Sequence, residues 1–151
     1  MRDLINNIEN WHKEHNQNKS FNENIEVAMN IFNKSGLLSL YVSNNYKDGI
    51  ERSVGDIFIL LVIMCHNVNN PMNWSRYESA GAEWQDTQKE LALEAVCSIS
   101  DFVSDLINEQ TVCEESLCRV IGNMTFIAEN ELLNFEECVR ESYKRFLEDE
   151  K

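Results

Sequence analysis

Apolar residues recur along this chain at three- and four-residue intervals, the period of helices that bury one side. Leu4, Ile5, Ile8 and Trp11 define a first amphipathic helix, broken by the Asn- and Lys-rich stretch Asn16 to Ser20. Ile25, Met29, Phe32 and Gly36 line one face of a second helix, spanning about 22–45. Asp48-Gly49 predicts a turn, followed by a third helix over about 50–68. Its run from Ile57 to Cys65 is apolar on every side, the mark of a central helix buried all round. Asn69-Asn70-Pro71 ends it, because the only proline excludes helical geometry for the residue before it.

A loop from Met72 to Ala82 has no clear period. The fourth helix, about Glu83 to Asn108, carries Leu91, Ala95, Ile99, Phe102, Val103 and Leu106 on one side. Leu117, Val120, Ile121, Met124 and Ile127 mark a fifth, about Glu114 to Asn130. Asn134 reads as an N-cap, with Glu137 completing a capping box, ahead of a last helix bearing Phe135, Cys138, Val139, Tyr143 and Phe146. No strand has comparable support. The pattern predicts an all-α bundle of about six helices in a single domain, 1–151, with a first half at about 1–70, a loop at 70–83 and a second helical half at 84–151.

Two segments match at one fixed offset. Arg52-Ser53-Val54-Gly55-Asp56-Ile57 corresponds to Arg119-Val120-Ile121-Gly122-Asn123-Met124, with Asp48 and Glu115 each four residues ahead of the arginine. Glycine inside a helix costs about 1 kcal/mol against alanine, so each asks for a packing reason. The match suggests internal duplication of a helix-pair unit, in which the Gly55 and Gly122 helices pack near one another.

Composition narrows the partners. A length of 151 residues with 43% hydrophobic content supports a folded globule with its own core. The net charge of -13 repels nucleic-acid phosphates and anionic membranes, so a protein, a metal-bound nucleotide or a basic surface is the expected partner. No apolar run approaches the roughly 20 residues of a membrane span, and Met1 to Asn6 shows no hydrophobic signal region. Five scattered cysteines without CxxC spacing read as reduced thiols of a cytoplasmic protein.

The N-terminal helix with its Trp, the long second helix, and a third opening with Val54-Gly55-Asp56-Ile57 and running through Leu60-Leu61-Val62-Ile63-Met64-Cys65 resemble the MazG-like all-α nucleoside triphosphate pyrophosphohydrolases, above all short members from tailed bacteriophages. Asn134-Phe135-Glu136-Glu137-Cys138-Val139 resembles the start of that family's closing helix, which often leads into a basic tail. The resemblance implies a magnesium site of two adjacent glutamates and a third three residues later, with Glu-x-x-Asp on the next helix. Such a cluster would bridge a triphosphate and activate water. Laid on this chain without gaps, those positions are Asn33, Lys34, Leu37, Ser53 and Asp56, so Asp56 alone keeps its carboxylate. No acid lies between Val27 and Lys47, so no shift of register restores the set. In the second copy Val120 and Asn123 stand at the Glu-x-x-Asp positions, and the closing segment after Lys144-Arg145 ends acidic. With Gly36 and Leu37 in place of polar residues, the former cavity is expected to be dry, either closed by apolar packing or used as an apolar contact surface.

Glu90, Glu94, Asp101 and Asp105 fall within roughly a 60° arc of the fourth helix, opposite its apolar side. They read as a solvated face, with a relocated magnesium site and an acidic contact surface as alternatives. Asp56 is the best candidate for metal contact, or else the partner of Arg52 in a surface ion pair. His12, His15 and His66 have no nucleophile beside them in a recognisable arrangement. Trp11 fits a core stripe, Trp84 opens an amphipathic helix, and Trp74 in the mid-chain loop is the candidate contact residue. Two functions stay open. The preferred one is a catalytically degenerate, phage-encoded protein that binds a host or phage protein, with no cofactor and nucleotide binding still open. The other is an active magnesium-dependent pyrophosphohydrolase with a rearranged carboxylate set. Either a monomer or a homodimer is compatible with the sequence.

Overall fold

The computed structural model describes residues 1–16, 22–81 and 87–149. Among them are six α-helices and no strand: α1 (Arg2–His15), α2 (Asn22–Ser43), α3 (Lys47–Asn67), α4 (Gln88–Glu109), α5 (Glu114–Asn130) and α6 (Phe135–Asp149). A 3-10 turn, Trp74–Arg76, interrupts the loop after α3. The expected chain break between Asn16 and Ser20 and the expected helix start at Glu83 and Trp84 fall on residues outside those described, Asn16 excepted.

α3 is the axis of the bundle because its sequence has no polar face over its central turns. Every residue from Ser53 to Cys65 is buried, and α1, α2, α5 and α6 pack around it. α4 lies one layer out, closing against α2 and α5. The helices share one hydrophobic core, built from Ile5 and Ile8, Ile31 and Leu38, the α3 centre, Ile99 and Phe102, Val120 and Met124, and Val139.

Local chemistry sets the ends. Thr87 is the N-cap of α4: its side chain accepts from the Glu90 amide at 3.1 Å while Glu90 accepts from the Thr87 amide at 3.0 Å, a complete capping box. This places the start of α4 at Gln88, four to five residues after the start that periodicity suggested. Asn134 caps α6 as expected, accepting from the Glu137 amide at 3.0 Å.

The expected turn at Asp48-Gly49 is displaced. The chain reverses at 44–46, with Asn45 in the left-handed region at φ 53°, and Asp48 and Gly49 already belong to the first turn of α3. Asparagine tolerates that conformation at low cost. Gly49 serves packing instead: a Cβ there would lie 2.6 Å from the Tyr41 ring. The face of Ile25, Met29, Phe32 and Gly36 also departs from a core role. α2 buries Asn24, Ala28, Ile31, Ser35, Leu38 and Val42, and turns Ile25, Met29 and Gly36 to solvent, with Phe32 half-buried.

Candidate functional site

Asp56 lies on the buried axis with only 7% of its surface exposed. A carboxylate at that depth needs charged or hydrogen-bonding partners. Two helices supply them. Lys34 on α2 donates its Nζ to Asp56 Oδ2 at 2.8 Å, and Arg145 on α6 reaches Asp56 Oδ1 at 3.5 Å. Arg145 also donates to Ser142 Oγ at 2.7 Å, and Ser142 donates to the Arg52 carbonyl at 3.4 Å. The expected Arg52–Asp56 pair is not formed. Arg52 points outward on an exposed position, and the carboxylate turns to the two cations that face it across helix interfaces.

α6 comes this close because Gly55 lets it. A Cβ at Gly55 would stand 2.2 Å from the Cys138 carbonyl and 2.2 Å from Ser142 Oγ, so any side chain would force the helices apart. The packing reason demanded by a glycine in mid-helix is therefore the α3–α6 crossing, and that crossing carries Arg145 to Asp56.

Of the five positions that the family resemblance assigned to metal ligands, Lys34 and Asp56 meet, and the set does not converge as a whole. Asn33 and Leu37 are exposed on the outer side of α2, and Leu37, 43% exposed, closes no cavity. Of the two expected uses of that position, closure of a cavity by Leu37 does not occur, and its exposure leaves the apolar contact surface: residues 33 and 37 lie on the opposite side of α2 from its buried row, whereas Lys34 sits at the flank facing α3. Ser53 is buried on α3. A magnesium ion does not fit this donor set. The ammonium group of Lys34 already occupies contact distance from Asp56, no second carboxylate among the described residues joins it, and a divalent cation would have to displace two positive charges. Among the described residues, no group of three or more His, Cys, Asp or Glu is arranged to hold a metal.

The acidic residues of α4 are divided in their roles. Glu90 is spent on the capping box, and Glu94 is bound by Arg119 of α5. Asp101 and Asp105 are exposed. Trp74 is half-buried and packed, edge-on to Phe58 at 6.0 Å and stacked on Phe135 at an interplanar angle of 17°, rather than projecting from its loop. It contributes to the wall of an open pocket of about 350 Å³ with Tyr77, Glu78, Glu129, Leu133 and Glu136. Trp11 packs edge-on against Phe146, as a core stripe requires. Trp84 lies outside the described residues.

Two polar features were not legible in the sequence. In the sequence Arg145 only opens a closing segment that ends acidic, and it is the α3–α6 crossing that brings it to Asp56. At the junction of α1, α2 and α3, buried His12 bonds through Nε2 to Asn67 Oδ1 at 2.8 Å and through Nδ1 to Asn16 at 2.9 Å, while Asn67 donates to Asn24 at 2.9 Å. Both imidazole nitrogens are occupied within a hydrogen-bond network, which is a structural use of the ring. Nearby, burial raises the Glu9 carboxyl above its ordinary range, and one of its oxygens is buried without a hydrogen-bond partner. Burial likewise pushes the Cys65 thiol up to about 12, which leaves it an inert core group. All five cysteines are free.

No family model, curated protein or solved structure matches this chain.

Proposed function

We propose that this chain is a catalytically degenerate MazG-like protein, encoded by a bacteriophage, that acts by binding a protein partner and not by hydrolysing nucleotides. The observation that carries the reading is the cation clamp on Asp56. In a magnesium-dependent hydrolase the carboxylate must be free to share its charge with metal. Here Lys34 and Arg145 have taken that charge over. A net charge of -13 would steer a basic partner, and the exposed Asp101 and Asp105 on α4 are its first contact candidates.

Internal duplication is part of the same proposal. Two helix pairs, α2 with α3 and α4 with α5, pack on one another through α2 and α4, and α3 also touches α5. Each pair carries a polar bridge near its middle: Lys34 to Asp56 in the first, and Asn123 to Ser98 at 3.1 Å in the second. A second pair within the chain would complete the bundle that a partner subunit otherwise supplies.

The test is a panel of common ribo- and deoxyribonucleoside triphosphates with magnesium or manganese, run on the native protein beside Asp56→Ala. The proposal expects no pyrophosphate release from either protein, and capture of a partner that weakens as salt rises. Turnover that is present in the native protein and lost in Asp56→Ala would restore the enzyme.

A further inference from the structure

α5 ends in a Schellman arrangement: the Leu132 amide donates to the Glu129 carbonyl at 2.9 Å, and the Leu133 amide to the Ala128 carbonyl at 2.9 Å. The first of those two positions is left-handed, and glycine or asparagine commonly fills it because a Cβ is strained there. Here it is Leu132, at φ 58°, with a side chain that is 90% exposed. Asn45, Asn69 and Gln110, which take the same conformation elsewhere among the described residues, are all polar. Exposure of a single leucine would be ordinary. Exposure combined with a disfavoured backbone has no reason inside the chain, because no burial offsets the strain. A contact from outside supplies one.

Leu132 lines the open pocket of about 350 Å³ that Trp74 and Tyr77 also line, and Glu78, Glu129 and Glu136 bring carboxylates to the same opening. Glu136 is held by Arg140 at 2.8 Å and by the Met1 amino group at 3.0 Å. Glu78 and Glu129 are exposed, and neither makes an ion pair with any described residue. We infer that this pocket receives an arginine side chain of the basic protein partner, its guanidinium against the Trp74 ring and paired with Glu78 and Glu129, its apolar stem along Leu132. The inference rests on the binding role proposed above and names the residue that the partner brings.

The chemistry of the lining selects this occupant. Carboxylates at the opening repel phosphate groups, which excludes a nucleotide or a nucleic acid. A wholly apolar side chain would strip water from two unpaired carboxylates and put nothing in its place. A cation satisfies them, and the aromatic rings attract it through their electron-rich faces. Arginine fits better than lysine because its planar guanidinium stacks on a ring while its edge N–H groups reach separate carboxylates, and its methylene stem covers apolar surface such as that of Leu132. A volume of about 350 Å³ lies at the small end of ligand pockets, the scale of one side chain rather than of a helix.

NMR of the 15N-labelled full chain tests the assignment, with an acetylated and amidated glycine-arginine-glycine tripeptide as the probe and its lysine and citrulline counterparts beside it. The arginine peptide is expected to give saturable shifts at the Trp74 indole and at the amides of 77–80 and 129–133, the lysine peptide weaker ones, and the citrulline peptide none. Glu78→Gln with Glu129→Gln, both at exposed positions, should keep the native thermal melt and raise the dissociation constant at least about 10-fold. Asp101→Asn with Asp105→Asn removes the same charge from α4 and should leave that constant unchanged. Leu132→Gly relieves the left-handed strain, so it should melt higher than the native protein and yet bind the peptide more weakly. No saturable shift up to about 20 mM peptide, where even millimolar affinity is visible, would overturn the inference. So would equal binding of the arginine and lysine peptides, or a Leu132→Gly protein that melts higher and binds as before. Binding lost in the α4 variant and kept in the Glu78 and Glu129 variant overturns the pocket while the basic-partner role stands; nucleotide turnover lost in Asp56→Ala removes that role whatever the peptide does.

Discussion

Replacing Gly55 by alanine probes the crossing on which the Asp56 clamp depends. Intrinsic helix propensity favours the change by about 1 kcal/mol. The added methyl, however, would start 2.2 Å from the Cys138 carbonyl, which is backbone and cannot rotate away, and 2.2 Å from Ser142 Oγ. Relief requires α6 to retreat by about 1 Å, a gap that forfeits a quarter to a half of each dispersion contact between Phe135, Cys138 or Val139 and α3. Overpacking of this kind costs about 1–3 kcal/mol, and the loosened contacts add to it. We therefore expect a net loss of about 1–3 kcal/mol, or a fall in Tm of roughly 3–10 °C for a chain of this size. Urea unfolding followed by circular dichroism measures it. Gly36→Ala serves as the contrast. With open space around it, that alanine should stabilise by about 0.5–1 kcal/mol. If Gly55→Ala unfolds at the native midpoint or above it, the close approach does not govern the crossing and the clamp needs another origin.

The clamp and the buried acid of α1 give two further expectations. Lys34→Ala with Arg145→Ala strands Asp56 and should cost about 3–5 kcal/mol in chemical unfolding, most of which Asp56→Leu in the same background should recover; no recovery would mean that the cations stabilise the fold by some other contact. Burial raises the Glu9 pKa above that of a solvated glutamate, so the folded state holds its proton longer than the unfolded chain and stability falls as pH rises past the ordinary carboxylate range. Glu9→Gln should therefore raise Tm at neutral pH, with the gain shrinking below about pH 4.5; a gain that is the same at pH 4 and pH 7 would remove ionisation of Glu9 as its cause.

Periodicity located the helices because burial here is set by side-chain spacing. The α5 boundaries agree to the residue, and the all-apolar run from Ile57 to Cys65 is buried on every side. The errors have physical causes too. Asp48-Gly49 has the composition of a turn, yet Gly49 is needed for the rings of Tyr41 and Tyr46, and Asn45 takes the left-handed residue of the turn instead. The row Ile25, Met29 and Gly36 has helical spacing, but spacing alone cannot tell a core stripe from an exposed one. α2 buries the neighbouring row, which includes Asn24 and Ser35, because Asn67 and the Phe32 carbonyl satisfy those polar groups. The partners of Asp56 were the least legible, since Lys34 and Arg145 lie 22 and 89 residues away and meet it only through packing.

The distribution of charge argues about function more strongly than its total. At the centre, one carboxylate faces two cations, a local excess of positive charge where a metal-dependent hydrolase needs a pool of negative charge. A divalent ion entering there would have to evict an ammonium group at 2.8 Å and a guanidinium that is anchored by Ser142, with no further carboxylate to hold it. The chain's other 25 acids stand elsewhere, and none falls between Val27 and Lys47. Placed away from the clamp, those acids would attract a basic protein to the surface. Capture of a basic partner through them weakens as ionic strength rises, whereas the Asp56 clamp, held inside the bundle, is screened far less. Titrating salt while following both partner capture and unfolding separates the two, because a partner held by the surface acids is released at salt concentrations that leave the clamp and the fold intact.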